Sequence, residues 1–210
     1  MEFSLIILFA LSLIYISVTT RVKDYIRLLG VQGLVLFVIA IVELHEINLA
    51  NFLLILVETL VFKAIFVPIF FERIRRKNLE SEKYLPGNFS LMPILVALGG
   101  IVFSFMLSNY LYDDHLKAKY FAIAIAAIII GIFLIVSHKQ MLIHLAGYIV
   151  IENGIFLLSL AVGGDMPMIV NTGALLDIFA SVLVLGIFLN LVGDQTGHQL
   201  HTDDLSELKD

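Results

Sequence analysis

The chain contains no cysteine, so it holds no disulfide, no cysteine-ligated zinc and no iron–sulfur cluster of its own. Any redox chemistry linked to it must belong to a partner. Charge is scarce too: Asp, Glu, Lys and Arg make up 15% of the 210 residues, with a formal net charge of −5. That balance leaves no basic surface for nucleic acid. The chain also lacks an internal repeat, a low-complexity segment and a linker that would mark a second domain. What it has instead is apolar: 60% hydrophobic residues and a mean hydropathy of +1.01. A single soluble core could not hide that much apolar surface, and the composition implies an integral membrane protein in contact with the lipid bilayer.

About seven apolar stretches are long enough to cross roughly 30 Å of hydrocarbon at about 1.5 Å per residue. They fall near residues 2–20, 26–43, 50–71, 90–110, 117–136, 141–163 and 168–193. The expected fold is therefore all-α: a polytopic transmembrane bundle over 1–193 and a polar tail over 194–210. The first stretch has no basic residue ahead of it and basic residues just after it, the pattern of a retained span and not of a cleaved signal peptide. With the N-terminus outside, Arg21, Lys23, Arg27, Arg73, Arg75, Arg76, Lys77, Lys83, Lys139 and Lys209 fall inside, against Lys117 and Lys119 outside. Basic residues accumulate on the cytoplasmic side, so the C-terminus is expected there. The segment 72–88, "ERIRRKNLESEKYLPGN", then reads as a positively charged cytoplasmic anchor, His138 and Lys139 as a cytoplasmic turn, and Glu43, His45 and Glu46 as a solvated external loop.

Four ionisable residues remain at membrane depth: Glu58 and Lys63 in the third stretch, Glu152 in the sixth and Asp177 in the seventh. Each costs roughly 2.5–3.5 kcal/mol near a helix centre unless it faces a partner or water inside the protein. Counted from opposite membrane faces, Glu152 and Asp177 reach similar depths of about 16 and 14 Å, and Glu58 and Lys63 lie within a turn or two of that level. His144, Tyr148 and Glu152 follow at i, i+4 and i+8, forming a file from the cytoplasmic end toward the centre, the shape of a proton path. Gly173, Asp177 and Ser181 share a similar stripe. Glu58 and Lys63 are five apart, about 140° around an α-helix, so an ion pair between them is not expected. Pro68 is expected to bend the cytoplasmic end of its span. The residues leave blander readings open: protonated carboxylates bonded to neighbouring helices, a snorkelling Lys63 and an interfacial His144.

The run "GYIVIENGIFLLSLAV", the downstream "LLDIFASVLVLGIFL", the earlier "VFKAIFVPIF" and the tail "HTDDLSELKD" resemble the hydrogenase-4 component E family, membrane subunits of formate-hydrogenlyase-like, group 4 hydrogenase complexes. The likeness runs from about the second span to the C-terminus. The last three spans, 117–193, more loosely resemble the small three-helix membrane subunit of respiratory complex I and of multisubunit cation/proton antiporters. The resemblance implies a non-catalytic inner-membrane subunit whose buried charges move protons, or sodium ions, while a partner runs the redox reaction. It matches Glu152, Asp177 and Lys63 to the family's membrane charges; Glu58 and His144 match no family motif. It implies antiporter-like and other membrane subunits as partners, together with peripheral redox subunits carrying a nickel–iron centre and iron–sulfur clusters. No nickel-ligating CxxC and no quinone or flavin signature occurs in this chain, so no cofactor of its own is expected. The alternatives are a subunit of a multisubunit sodium/proton antiporter without a redox partner, a passive scaffold, and an independent transporter; the last is disfavoured by the missing internal repeat.

Overall fold

The computed structural model describes residues 2–43, 49–77, 91–111 and 117–162. These residues are helical almost throughout, because a backbone among apolar side chains must satisfy its own N–H and C=O groups. The elements are α1 (Glu2–Val18), α2 (Val22–Glu43), α3 (Leu49–Ile55), a π-helix (Leu56–Phe66), α4 (Val67–Lys77), α5 (Met92–Tyr110), α6 (Ala118–Ser137) and α7 (Met141–Val162). Four helices are long and apolar enough to cross a membrane: Val22–Glu43, Met92–Tyr110, Ala118–Ser137 and Leu142–Val162. Helix α1 is apolar but shorter, and the third expected span is a continuous helical run divided among α3, the π-helix and α4. The expected seventh span lies outside the described residues. Helix α4 continues to Lys77, so the basic run Arg73, Arg75 and Arg76 rides on a helix where the sequence suggested a loop.

The bundle buries polar side chains within an apolar core and leaves many large apolar side chains exposed. Ser12, Gln32, Glu58, Thr59, Lys63, Ser104, Ser108, Glu152 and Asn153 are buried, whereas Leu11, Leu34, Val61, Leu95, Val102, Met106 and Val136 are exposed. Lipid tails are as apolar as leucine, so helices in a bilayer associate by close packing and polar contacts, not by hiding apolar area. Helix α2 packs against α1, the π-helix, α4 and α7, while α6 packs against α1, α5 and α7.

Glycine makes the tightest contacts. A Cβ at Gly131 on α6 would lie 2.7 Å from the Gly147 carbonyl oxygen of α7, and one at Gly154 would lie 2.9 Å from the Ala124 carbonyl oxygen. On α2, a Cβ at Gly33 would meet the Ala64 nitrogen at 2.7 Å and the Lys63 carbonyl carbon at 2.8 Å. One turn along, Gly30 faces the Pro68 ring. The order 33 to 30 against 64 to 68 sets α2 antiparallel to the third helical run.

The turns are tied by side chains. Between α1 and α2, the Tyr25 hydroxyl donates to the Thr19 carbonyl at 3.0 Å and the Thr19 hydroxyl donates to Asp24 at 3.2 Å. Ser108 near the end of α5 donates to the Ala118 carbonyl at 2.7 Å, and the Lys117 amide donates to the Ala161 carbonyl at 3.1 Å. The same end of the bundle holds an ion pair between Lys117 and Glu43. Glu43 is thus mostly buried at the end of α2, a correction to its expected place in a solvated loop. His45 and Glu46 lie outside the described residues.

Candidate functional site

The π-helix is where the structure departs furthest from the sequence reading. Its hydrogen bonds run from residue i+5 to i, as when the Val67 amide donates to the Phe62 carbonyl. Residues five apart therefore stack on one face, where an α-helix would set them about 140° apart. Glu58 and Lys63 are such a pair, and Lys63 Nζ lies 3.6 Å from Glu58 Oε1. The expectation that no ion pair joins them is overturned, because it assumed α geometry.

The position of Pro68 fits this local form. It has no N–H and its ring crowds the carbonyl four residues back, here Ala64, at the point where the π-helix hands over to α4. Pro68, expected from the sequence to bend the span, is the second residue of α4, directly after the π-helix. Thr59, also fully buried, donates its hydroxyl to the Ile55 carbonyl at 2.7 Å, holding the start of the π-helix to the end of α3.

Lys63 does not snorkel. Its side chain is 1% exposed and that of Glu58 is 0% exposed. The ammonium lies 5.1 Å from the centroid of the Phe156 ring on α7, an arrangement in which the ring's negative face attracts a cation. Phe156 stands one helical turn beyond Glu152 on the same face of α7, and Glu152 is buried with it. The α7 residues one turn apart thus carry a carboxylate and the aromatic platform of the lysine.

A hydrogen-bonded chain lies beside these charges. Asn153 Nδ2 donates to Gln32 Oε1 at 3.1 Å, Gln32 Nε2 donates to Ser12 Oγ at 3.0 Å, and Ser12 donates to the Phe9 carbonyl at 2.6 Å. It joins α7, α2 and α1 through buried groups, whose hydrogen bonds are costly to leave unmade. Gln32 precedes the glycine that presses on Lys63, and Asn153 follows Glu152. The sequence reading assigned no role to Gln32, Asn153, Ser12, Thr59 or Phe156. The signals for the first two were available: an amide between two glycines in "GVQG", and another inside the quoted "ENG".

The expected file on α7 shows a gradient of burial: His144 and Tyr148 are half-buried and Glu152 is buried. His144 has a structural task as well, its ring Nε2 bonding to the His138 carbonyl and closing the turn between α6 and α7. His138 caps its own helix through Nδ1 to the Leu134 carbonyl at 3.1 Å. Burial holds His138 below the usual imidazole range; its bond to the Leu134 carbonyl acts the other way, and the nearby His144 adds a smaller push down. Asp177, with Gly173 and Ser181, lies outside the described residues. Among the described residues, no group of three or more His, Asp or Glu side chains is arranged to hold a metal ion.

Comparison with known proteins adds little to this geometry. No family model matches the chain. The chain is similar to an uncharacterized protein of Mycobacterium tuberculosis (strain ATCC 25618 / H37Rv), Rv0085, at 29% identity over 87 residues. The match covers 41% of this chain and 39% of that protein, so the chain spans about two fifths of its relative's length. No solved structure matches.

Proposed function

We propose that this chain is a membrane subunit of a complex I-like, group 4 hydrogenase-type energy-converting assembly in the inner membrane, in which its buried charges relay protons while partner subunits carry out redox chemistry. The observation that carries the reading is the Glu58–Lys63 pair, fully buried on one face of a π-helix and set against the α7 face that bears Glu152. Two such charges, each without a partner in apolar surroundings, would together cost roughly 5–7 kcal/mol, so a pair placed there and not at the surface asks for a purpose.

The chemistry available to the pair is simple. A proton can pass from the Lys63 ammonium to the Glu58 carboxylate, converting an ion pair into a neutral amine and a neutral acid without changing net charge. Such an exchange avoids creating a lone charge in a low-dielectric interior. Protons reach the pair from the cytoplasmic side along His144, Tyr148 and Glu152, and Asp177 extends the route toward the final span. A change of charge on a neighbouring subunit during turnover biases which form of the pair is favoured. Antiporter-like membrane subunits and peripheral subunits bearing nickel–iron and iron–sulfur centres complete the assembly.

The test uses Glu58→Gln and Glu152→Gln in the intact complex reconstituted into vesicles. Proton pumping should fall at least tenfold in each, with the same subunits co-purifying. Pumping at the wild-type rate in both variants would reduce the chain to a scaffold. Co-purification without any redox subunit would point to the sodium/proton antiporter alternative.

A further inference from the structure

The ion handled at the Glu58–Lys63 site is open between proton and sodium on the sequence alone, and the geometry bears on it. A buried carboxylate is the natural anchor of a cation site. Here that anchor has a built-in cation: the Lys63 ammonium stands 3.6 Å from Glu58 Oε1, delivered by the chain itself. The ammonium also lies 5.1 Å from the centroid of the Phe156 ring. A ring face attracts an ammonium but offers no oxygen lone pairs, whereas an alkali cation that sheds its water needs a set of oxygens to replace it.

The backbone of Lys63 is held in place and its side chain is buried. Its backbone is pressed onto α2 so closely that a Cβ at Gly33 would lie 2.8 Å from its carbonyl carbon and 2.7 Å from the next nitrogen. Both charged side chains are shut off from solvent. A second monovalent cation at Glu58 would therefore sit within a few ångströms of a like charge in a low-dielectric interior. A proton meets no such obstacle, because it adds to the carboxylate or leaves the ammonium without displacing anything.

We propose that Lys63 is a selectivity residue, a tethered ammonium that fills the cation position at Glu58 and restricts this site to protons. The proposal rests on the relay reading only in assigning its ion. It is tested by the binding behaviour of the full chain in lipid nanodiscs, by thermal unfolding in sodium chloride against choline chloride at matched ionic strength. The wild type should unfold at the same temperature in both salts.

Lys63→Ser removes the ammonium and adds a hydroxyl oxygen, and should gain a saturable sodium-specific rise in Tm. For a chain of this size a hundredfold excess over Kd corresponds to about 5–10 °C. Lys63→Gln, which keeps the length and offers a carbonyl oxygen, is the second variant and should behave likewise should Lys63→Ser not fold. A saturable sodium-specific rise in the wild type overturns the proposal, as does its absence from a folded Lys63 variant. The two ideas fail separately: sodium binding by the wild type overturns the ion assignment and leaves the relay standing, whereas unchanged pumping in Glu58→Gln and Glu152→Gln overturns the relay without touching sodium binding.

Discussion

The contact of α6 with α7 and the contact of α2 with the π-helix are both made by glycines against backbone, yet they bury opposite chemistry. Between α6 and α7, Gly131, Gly147 and Gly154 bring together surfaces of Ala124, Ala127, Leu134 and Ile151. Between α2 and the π-helix, Gly33 brings the backbone of Lys63 close, and the buried polar residues on these two elements are Lys63, Glu58, Thr59 and Gln32. The first contact needs only shape, and regular α-helices supply it. The second needs two charges on one face, and the i+5 hydrogen-bond register supplies that by turning residues five apart into neighbours. Close packing is thus the general device of this bundle, and helix register decides what the packing encloses.

Charge removal should separate the two contacts most sharply. Lys63→Met leaves Glu58 buried without this cation and should cost about 3–5 kcal/mol, whereas the double variant Lys63→Met with Glu58→Gln should recover much of the loss. Unfolding in mixed micelles measures the cycle. A double-variant cost equal to the sum of the costs of Lys63→Met and Glu58→Gln alone would show that the pair is not energetically coupled.

The glycine substitutions come next. Gly131→Ala and Gly33→Ala each place a Cβ against backbone atoms and should each cost about 1–3 kcal/mol. On the proposed relay their functional effects should differ: Gly33→Ala, which crowds the Lys63 backbone, should depress proton pumping in the proposed assembly, while Gly131→Ala should leave the residual pumping per folded molecule intact. Equal pumping losses would remove the distinction between the two contacts.

Outside both contacts, at the end of α4, Arg75 and Arg76 hydrogen-bond Glu72 at 2.6–2.9 Å and hold its carboxyl down at about 2, from an ordinary 4.5. A lowered folded-state value means that this contribution is present above about pH 4.5 and is lost as the pH falls toward 2. Water and salt reach the group, so the contribution is below about 1 kcal/mol. The stability difference between wild type and Glu72→Gln, followed by thermal unfolding, should shrink across that window and be flat above it.

The smallest effect is expected at Gly99, where an added Cβ meets nothing within 4 Å. Gly99→Ala should be neutral or stabilising by up to about 1 kcal/mol. A cost as large as that of Gly131→Ala would show that α5 carries a close neighbour on this face.

Much of the helical layout was legible in the residues. The expected stretches near 2–20, 26–43, 90–110, 117–136 and 141–163 match α1, α2, α5, α6 and α7 within a few residues. Hydropathy detects such segments because a buried backbone has few ways to satisfy itself. The third stretch is helical as its hydropathy implies but is not α throughout, and composition carries no record of whether a hydrogen bond closes at i+4 or i+5. That single difference turned Glu58 and Lys63 from residues facing apart into an ion pair. The polar chain from Asn153 to Ser12 was equally hidden, because Gln32 and Asn153 are 121 residues apart and meet only when α2 and α7 pack. The file His144, Tyr148, Glu152 was legible from spacing alone, since all three share one helix.

Taken by itself, the sequence determined that the chain is helical, that several helices are apolar enough for lipid, and that a few charges sit where charge is costly; these follow from local composition and the backbone's demand for hydrogen bonds. Only the tertiary structure decided which of those charges meet. Side chains from α2, α7 and the π-helix converge through contacts distant in sequence, and the register that aligns Glu58 with Lys63 depends on how the helix packs as well as on what it is made of.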